Sequence, residues 1–306
     1  MKLSRIAFDK AHDFIQENAR PLEVARYEFH FGDGTATAVA DALRPFQNQD
    51  GGFGNALEPD MRAPESSTLA TSVALQIMRA VGEGGFEEMA ATAVSYLLHT
   101  YDPDQSTWRI IPKAAQNSPH APWWTQSDEA DHFVAFSLNP TAEVLGYLIE
   151  YNKVVPPQLI LHLSDLVLRK LTQLEKIEMH DLICCVRLLE TNGLADNFHG
   201  QLFEQLDRLL LTAVATQAAE WSGYGLRPLQ VASSPDAPFF ECLQMLIPEN
   251  LDFEIETQQD DGAWWPVWSW GQNYPDVWQK ARVEWAGVIT LEKLLMLRNY
   301  GRLPSP

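Results

Sequence analysis

Two carboxyl groups close together in the sequence could supply an acid and a base. Glu58 and Asp60 are two residues apart, and Arg62 follows them. When two carboxyl groups share a site, one can stay protonated while the other is ionised, and the protonated one can act as a general acid. We therefore take Asp60 and Glu58 as the candidate catalytic residues. The alternative is a solvated acidic turn in which Arg62 forms an ion pair.

A second acidic segment could bind a ligand. Residues 128–132 read Asp-Glu-Ala-Asp-His, and carboxylates so grouped can hold a divalent cation and, through it, a diphosphate. The alternative is a solvated linker, because the spacing matches no specific metal motif. The candidate substrate-binding residues of this region are His120, Trp123, Trp124, Asp128 and Asp131.

Aromatic side chains are concentrated near the C-terminal end of the chain. The sequence has ten tryptophans, and five of them fall within residues 264–278. Aromatic faces can stabilise a carbocation by cation–π attraction or stack on a sugar ring. Core packing is the alternative interpretation, although so many rings are hard to bury together. The candidate substrate-binding residues here are Trp265, Trp268, Trp270, Tyr274 and Trp278.

Composition limits the class of protein. A chain of 306 residues with 46% hydrophobic content can bury a large core, and we expect one domain over residues 1–306. The formal charge of −19 argues against a nucleic-acid or anionic-membrane partner. No apolar run is long enough to cross a bilayer and no signal peptide is evident, so we expect a cytoplasmic protein. Three cysteines suggest neither disulfides nor a metal site, and we interpret them as core thiols.

The elements that position these residues are organised by a repeat. The segment Gln-Asn-Gln-Asp-Gly-Gly-Phe-Gly at residues 47–54 returns as Gln-Gln-Asp-Asp-Gly-Ala-Trp-Trp at residues 258–265. In each copy, the Asp-Gly pair predicts a tight turn that ends the preceding helix. The glutamine amide can bond free groups at a neighbouring helix end, and the aromatic ring can cover it. We therefore assign the two loops a structural role.

Apolar periodicity predicts helices on both sides of each loop, and no segment is predicted to form a sheet. A long linker over residues 102–138 separates two of the helices, and its aromatic content argues against disorder. The predicted helices cover residues 4–18, 22–30, 35–46, 68–81 (capped by Ser66 or Ser67), 86–101, 141–150, 158–174, 178–191, 199–219, 239–246 and 277–298, with another beginning near residue 251.

The first loop and the segment Ser67-Thr68-Leu69-Ala70-Thr71 that follows it resemble the glutamine-tryptophan repeats of squalene-cyclase-like terpenoid cyclases and protein prenyltransferase β-subunits. The resemblance implies an all-α fold, a single (α/α)5 or (α/α)6 toroid of helix hairpins. It does not extend to the family's chemistry, because the Asp-x-Asp-Asp run of class II cyclases is absent. The cysteines also lack the zinc-ligand setting of prenyltransferases.

Three functions follow from these observations. The resemblance implies an isoprenoid cyclase or transferase, in which an acid starts cyclisation in an aromatic-lined cavity. The alternatives are a carbohydrate-active α/α barrel with paired carboxylates, and a non-catalytic protein that binds an apolar or peptide ligand. The expected partner is a small apolar substrate or a glycan. The cofactor stays open between none and, if the substrate is a diphosphate, a divalent cation.

Overall fold

The structure is a computed structural model that describes residues 1–82, 84–126 and 135–304. Helices make up 60% of it, which confirms the all-α class. The prediction that no segment forms a sheet is wrong, because β1 (Tyr101–Asp102) and β2 (Thr107–Trp108) pair as an antiparallel hairpin at the start of the long linker. Both strands are only two residues long, too short for an alternating pattern to reveal them.

Thirteen helices lie in the described part of the chain. They are α1 (Arg5–Asn18), α2 (Pro21–Phe31), α3 (Ala36–Leu43), α4 (Thr68–Val81), α5 (Glu87–Thr100), α6 (Leu138–Glu150), α7 (Pro157–Gln173), α8 (Met179–Leu189), α9 (Asp196–Leu210), α10 (Pro228–Val231), α11 (Phe240–Leu243), α12 (Ile247–Glu256) and α13 (Pro275–Asn299).

The predicted helix bounds are correct for α4, where the Ser67 hydroxyl accepts a hydrogen bond from Ala70 N. Two predicted helices are too long. The helix predicted over residues 199–219 ends at Leu210, and the one predicted over residues 239–246 is a single turn, α11. Apolar residues continue beyond both helices, but several of them, such as Leu211 and Met245, are exposed in irregular segments, and periodicity does not distinguish such a segment from helix.

The described chain forms two compact units, Arg44–Val214 and the pair of segments Met1–Leu43 and Ala215–Pro306. We call them the middle unit and the terminal unit. Each has its own set of packed helices, described separately below. The single domain over residues 1–306 stays a prediction.

In the middle unit, α4, α6 and α8 are parallel neighbours. Near their N-terminal ends, Asn139 N donates to Asp181 Oδ1 at 2.8 Å. Near their C-terminal ends, the Arg79 guanidinium of α4 lies 3.1 Å from the Glu150 carboxylate of α6. Eleven of the 13 residues of α6 are buried, whereas α7 buries three of its 17. A helix buried on all sides is an inner helix, so α6 belongs to an inner layer and α7 to an outer one.

In the terminal unit, α2 and α13 are also parallel neighbours. A Cβ atom on Gly287 of α13 would lie 2.8 Å from the Ala19 Cβ, just before α2 begins. Towards the ends of the same helices, Arg298 Nη1 donates to the His30 carbonyl at 2.8 Å. The first helix, α1, packs against both. The terminal unit therefore also contains a pair of parallel packed helices.

The helices of the described residues are not suited to a bilayer, because none combines the length and the apolar content that crossing one requires.

Candidate functional site

The two repeat loops have the same internal structure. In the first loop, Gln47 Nε2 donates to Gly51 O at 2.9 Å and to Met89 O of α5 at 3.1 Å. In the second, Gln258 Nε2 donates to Gly262 O at 2.8 Å and to Ala7 O of α1 at 2.9 Å. Each glutamine therefore joins its loop to a neighbouring helix, as predicted. The acceptor differs from the prediction, since it is a carbonyl of the helix's first turn and not a free group at its end.

A glycine in each loop lies directly against that helix. Gly51 and Gly262 have φ angles of 87° and 90°, a region that other residues resist. An added Cβ would lie 2.4 Å from Thr92 O at Gly51, and 2.4 Å from Lys10 O at Gly262. Both glycines are therefore needed for conformation and for space.

The aromatic residue of each loop is fixed to the helix that follows the loop. Phe53 N donates to Thr71 Oγ1 of α4 at 3.0 Å, and Trp264 N donates to Thr290 Oγ1 of α13 at 3.0 Å. Both rings are buried. The loops therefore connect three helices each, which supports the structural role assigned to them.

The candidate catalytic acids lie just after the first loop and are buried. Asp60 is 3% exposed and Glu58 is 8% exposed, so the alternative is wrong in describing this turn as solvated, whereas its ion pair with Arg62 stays a prediction. The linker covers them: Ala121 N donates to Asp60 O at 2.8 Å, and Arg62 N donates to Pro119 O at 3.0 Å. This main-chain pairing of distant segments explains the burial, and local sequence does not reveal it.

His120 belongs to the same pairing, opposite Met61. It is 5% exposed, and its Nδ1 lies 2.7 Å from the Ser118 carbonyl. Because a carbonyl oxygen can only accept, Nδ1 carries a proton. The other ring nitrogen, Nε2, lies 3.3 Å from Thr125 Oγ1. The imidazole is thereby held in one orientation beside the acidic segment.

An apolar cluster lies next to these residues. Partly buried Trp124 packs against it, whereas Trp123 is 46% exposed. The buried members of the cluster are Met61, Ala63, Ile110, Ile111 and Ala115. The structure thus brings Glu58, Asp60, His120 and Trp124 into one region of the middle unit. We call this region the acid site.

Two predicted ligand-binding residues, Asp128 and Asp131, lie outside the described residues. Within the described ranges, no group of three or more histidines, cysteines, aspartates and glutamates is placed to hold a metal ion. Cys184 and Cys185 are buried as predicted, but Cys242 is exposed, so interpreting it as a core thiol is wrong. It precedes the last residue of the single-turn helix α11, which has no extended apolar face.

Most of the tryptophan-rich loop packs inside the terminal unit. Trp270 is 1% exposed and its ring centroid lies 5.6 Å from that of Trp278, which is 6% exposed. Trp265 donates from Nε1 to Asp261 Oδ2 at 2.9 Å, and the Arg282 guanidinium lies 4.2 Å from the centre of its ring. These three rings contribute to packing, as the alternative interpretation held.

Trp268 and Tyr274 are placed differently. Trp268 is half-buried between Tyr224 and Trp285, with centroid distances of 5.8 and 5.2 Å and edge-to-face angles. Tyr224 is 61% exposed and Tyr274 is 43% exposed. A role in lining a ligand site stays a prediction for Trp268 and Tyr274.

A buried polar cluster in the middle unit was not found from the sequence. Glu143 of α6 is 2% exposed and accepts from Tyr147 Oη at 2.5 Å and from Arg187 Nη1 of α8 at 2.9 Å. Burial and the Glu143 charge raise the pKa of Tyr147. Burial is the largest single effect on the pKa of Arg187 and lowers it, but the charge and hydrogen bond of Glu143, together with Cys184 and Tyr147, raise it, and the net shift is upward. Because Glu143 is held by a fixed cation and a hydroxyl, it is suited to joining α6 to α8.

Comparisons with known proteins give no match from which a function could be assigned. No protein-family model matches the chain, and a search of curated proteins found no significant match.

Proposed function

We propose that this protein is an α/α toroid enzyme in which Asp60 acts as a general acid on an apolar substrate of isoprenoid type. The observation that carries the proposal is the burial of Asp60 and Glu58 against the linker segment of His120, beside the apolar cluster of the acid site. Burial of a carboxyl group disfavours its charged form, which is what a proton donor requires.

The order of the elements supports the toroid. Each repeat loop joins one helix to the next in the chain, α3 to α4 and α12 to α13. The first loop binds α5. The second loop, near the C-terminal end, binds α1 in the same way. The N-terminal helix therefore stands to the second loop as α5 stands to the first, which is the relation that a closed toroid would require.

The chemistry balances without a cofactor. The Asp60 carboxylic acid donates its proton to the less substituted carbon of a terminal alkene, so the other alkene carbon becomes a tertiary carbocation and Asp60 becomes a carboxylate. The π electrons of a second alkene then form the ring bond and move the positive charge along the chain. A carbon next to the final cation loses a proton to water, which restores an alkene, and a proton from solvent returns Asp60 to the acid form. The ring of Trp124 can stabilise the cation, at roughly 0.5–2 kcal/mol per contact.

The competing functions are distinguished by what binds and what is converted. We expect squalene or geranylgeranyl diphosphate to raise the melting temperature by about 5 °C at a hundredfold excess over Kd, because a ligand that binds only the folded state stabilises it. Gas chromatography with mass spectrometry should detect a cyclised product. Maltohexaose and cellohexaose are the matched controls. Stabilisation or cleavage of an oligosaccharide, with neither isoprenoid bound, would overturn the proposal in favour of a carbohydrate-active protein.

A further inference from the structure

Helix α2 buries two nitrogen-bearing side chains one turn apart, Arg26 and His30. Arg26 is 8% exposed. Its Nε atom and the Nε2 atom of His30 are both inaccessible to solvent, and no described residue forms a hydrogen bond with either. Residues four apart on a helix are neighbours on one face, with Cβ atoms about 5–6 Å apart. The two side chains therefore share one face of α2.

The nearest carboxylates do not supply a hydrogen-bond acceptor for Arg26 Nε. Glu23 is one turn before it on α2, but Arg20 binds both Glu23 oxygens, with Nε to Oε2 and Nη2 to Oε1 each 2.7 Å. Glu23 and Glu292 raise the pKa of Arg26 only as nearby charges, while burial, the largest effect, lowers it. The Nε atom of Arg26 is buried without an acceptor, which is unfavourable because this N–H group has lost its contact with water and gained no hydrogen bond in exchange. An acceptor oxygen at this point would remove that cost.

A second cation lies beside the C-terminal end of α2. Arg298 of α13 is exposed, donates from Nη1 to the His30 carbonyl at 2.8 Å, and lies with its guanidinium 5.1 Å from the centre of the Phe31 ring. Burial, followed by the charges of Arg298 and Arg26, lowers the pKa of His30 to about 4. The imidazole is therefore neutral at neutral pH, with one N–H to donate. The charged groups that act on His30 are Arg298 and Arg26, and those that act on Arg26 are Glu23, Glu292 and Arg20.

We propose that Arg26, His30 and Arg298 form a binding site for an oxyanion, the phosphate or carboxylate group of a small ligand. A guanidinium presents its N–H groups as a planar fork that matches two oxygens of such a group. The His30 ring supplies a further donor, and Arg298 supplies charge at the entrance. The protein as a whole carries a formal charge of −19, so anion binding requires a local site of this kind. The site is independent of the acid site, and the two proposals stand or fall separately.

The test is to titrate the full chain with inorganic phosphate, glycerol 3-phosphate and succinate. Calorimetry measures binding, and the NMR signals of the His30 ring report where the anion binds. We expect at least one of them to bind at a single site and to raise the pKa of His30 from about 4 by one unit or more, because an anion favours imidazolium. The anion that binds most tightly shows whether the site prefers a phosphate or a carboxylate group.

Variants separate the site from general charge effects. Arg26→Met should weaken binding at least tenfold, since it removes a charge-assisted pair of hydrogen bonds. Arg298→Met, a surface change, should weaken binding without loss of folding. Arg169→Met is the control, because Arg169 is exposed and pairs with Asp165 on α7. If none of the three anions shifts the His30 signals, or if Arg169→Met weakens binding as much as Arg298→Met does, the proposal is overturned.

Discussion

Alanine at Gly51 should destabilise the protein by about 3 kcal/mol or more. The φ angle of Gly51 is 87°, and a Cβ there would lie 2.4 Å from Thr92 O and 2.8 Å from Thr92 C. Those atoms are backbone within α5, so they cannot move aside without breaking the helix. Urea unfolding, with the midpoint and slope compared with wild type, measures the effect.

Gly193→Ala is the matched control for this change. Gly193 has a φ angle of 85°, close to that of Gly51, but no atom lies within 4 Å of its added Cβ. It should therefore carry only the conformational penalty, about 1 kcal/mol. If the two variants lose the same stability, the first loop does not depend on close contact with α5, and the structural role of the repeat is contradicted.

The repeat could be predicted from sequence because its determinants are local. Asp-Gly forces the turn at Gly51 and again at Gly262, and the side chain of the glutamine four residues earlier donates a hydrogen bond to the carbonyl of that glycine. The same is true of α4, where Ser67 caps an unbroken apolar pattern. In such segments each residue's preference agrees with the final structure, so a local pattern is sufficient.

Burial of charged residues could not be predicted in this way. Glu58 and Asp60 resemble a solvated turn until residues 119–121 pair with residues 60–62. Likewise, Glu143 meets Arg187 only after α6 packs on α8. These contacts join residues far apart in the chain, and charged side chains are usually exposed. Sequence therefore indicated where the acids are, but not their surroundings.

Replacing Asp60 with asparagine should lower turnover of the isoprenoid substrate by about a thousandfold, within the range of general acid catalysis. The amide keeps the shape of the side chain but has no acidic proton to donate. Substrate affinity should stay within about twofold of wild type, because the acid acts in the transition state and not in ground-state binding. Single-turnover kinetics and calorimetry measure the two quantities.

Two further variants show whether a loss of turnover is chemical. Asp165→Asn is the control for charge, since that carboxylate is 63% exposed on α7, and it should leave turnover unchanged. Asp60→Glu restores the acid at a slightly different position, so it should recover part of the activity that Asp60→Asn loses. Equal loss in Asp60→Glu and Asp60→Asn, both folded, would indicate that residue 60 only supports the loop. Unchanged turnover in Asp60→Asn would exclude it as the acid.

The most direct measurement of the central claim is the mass of the product formed in D₂O. If Asp60 starts the reaction by protonating an alkene, the proton comes from solvent through the carboxyl group. The wild-type enzyme should then give a cyclised product that carries one non-exchangeable deuterium and is one mass unit heavier. A product of unchanged mass, formed with release of diphosphate, would show that the reaction begins by ionisation and would contradict the assignment of Asp60 as the initiating acid.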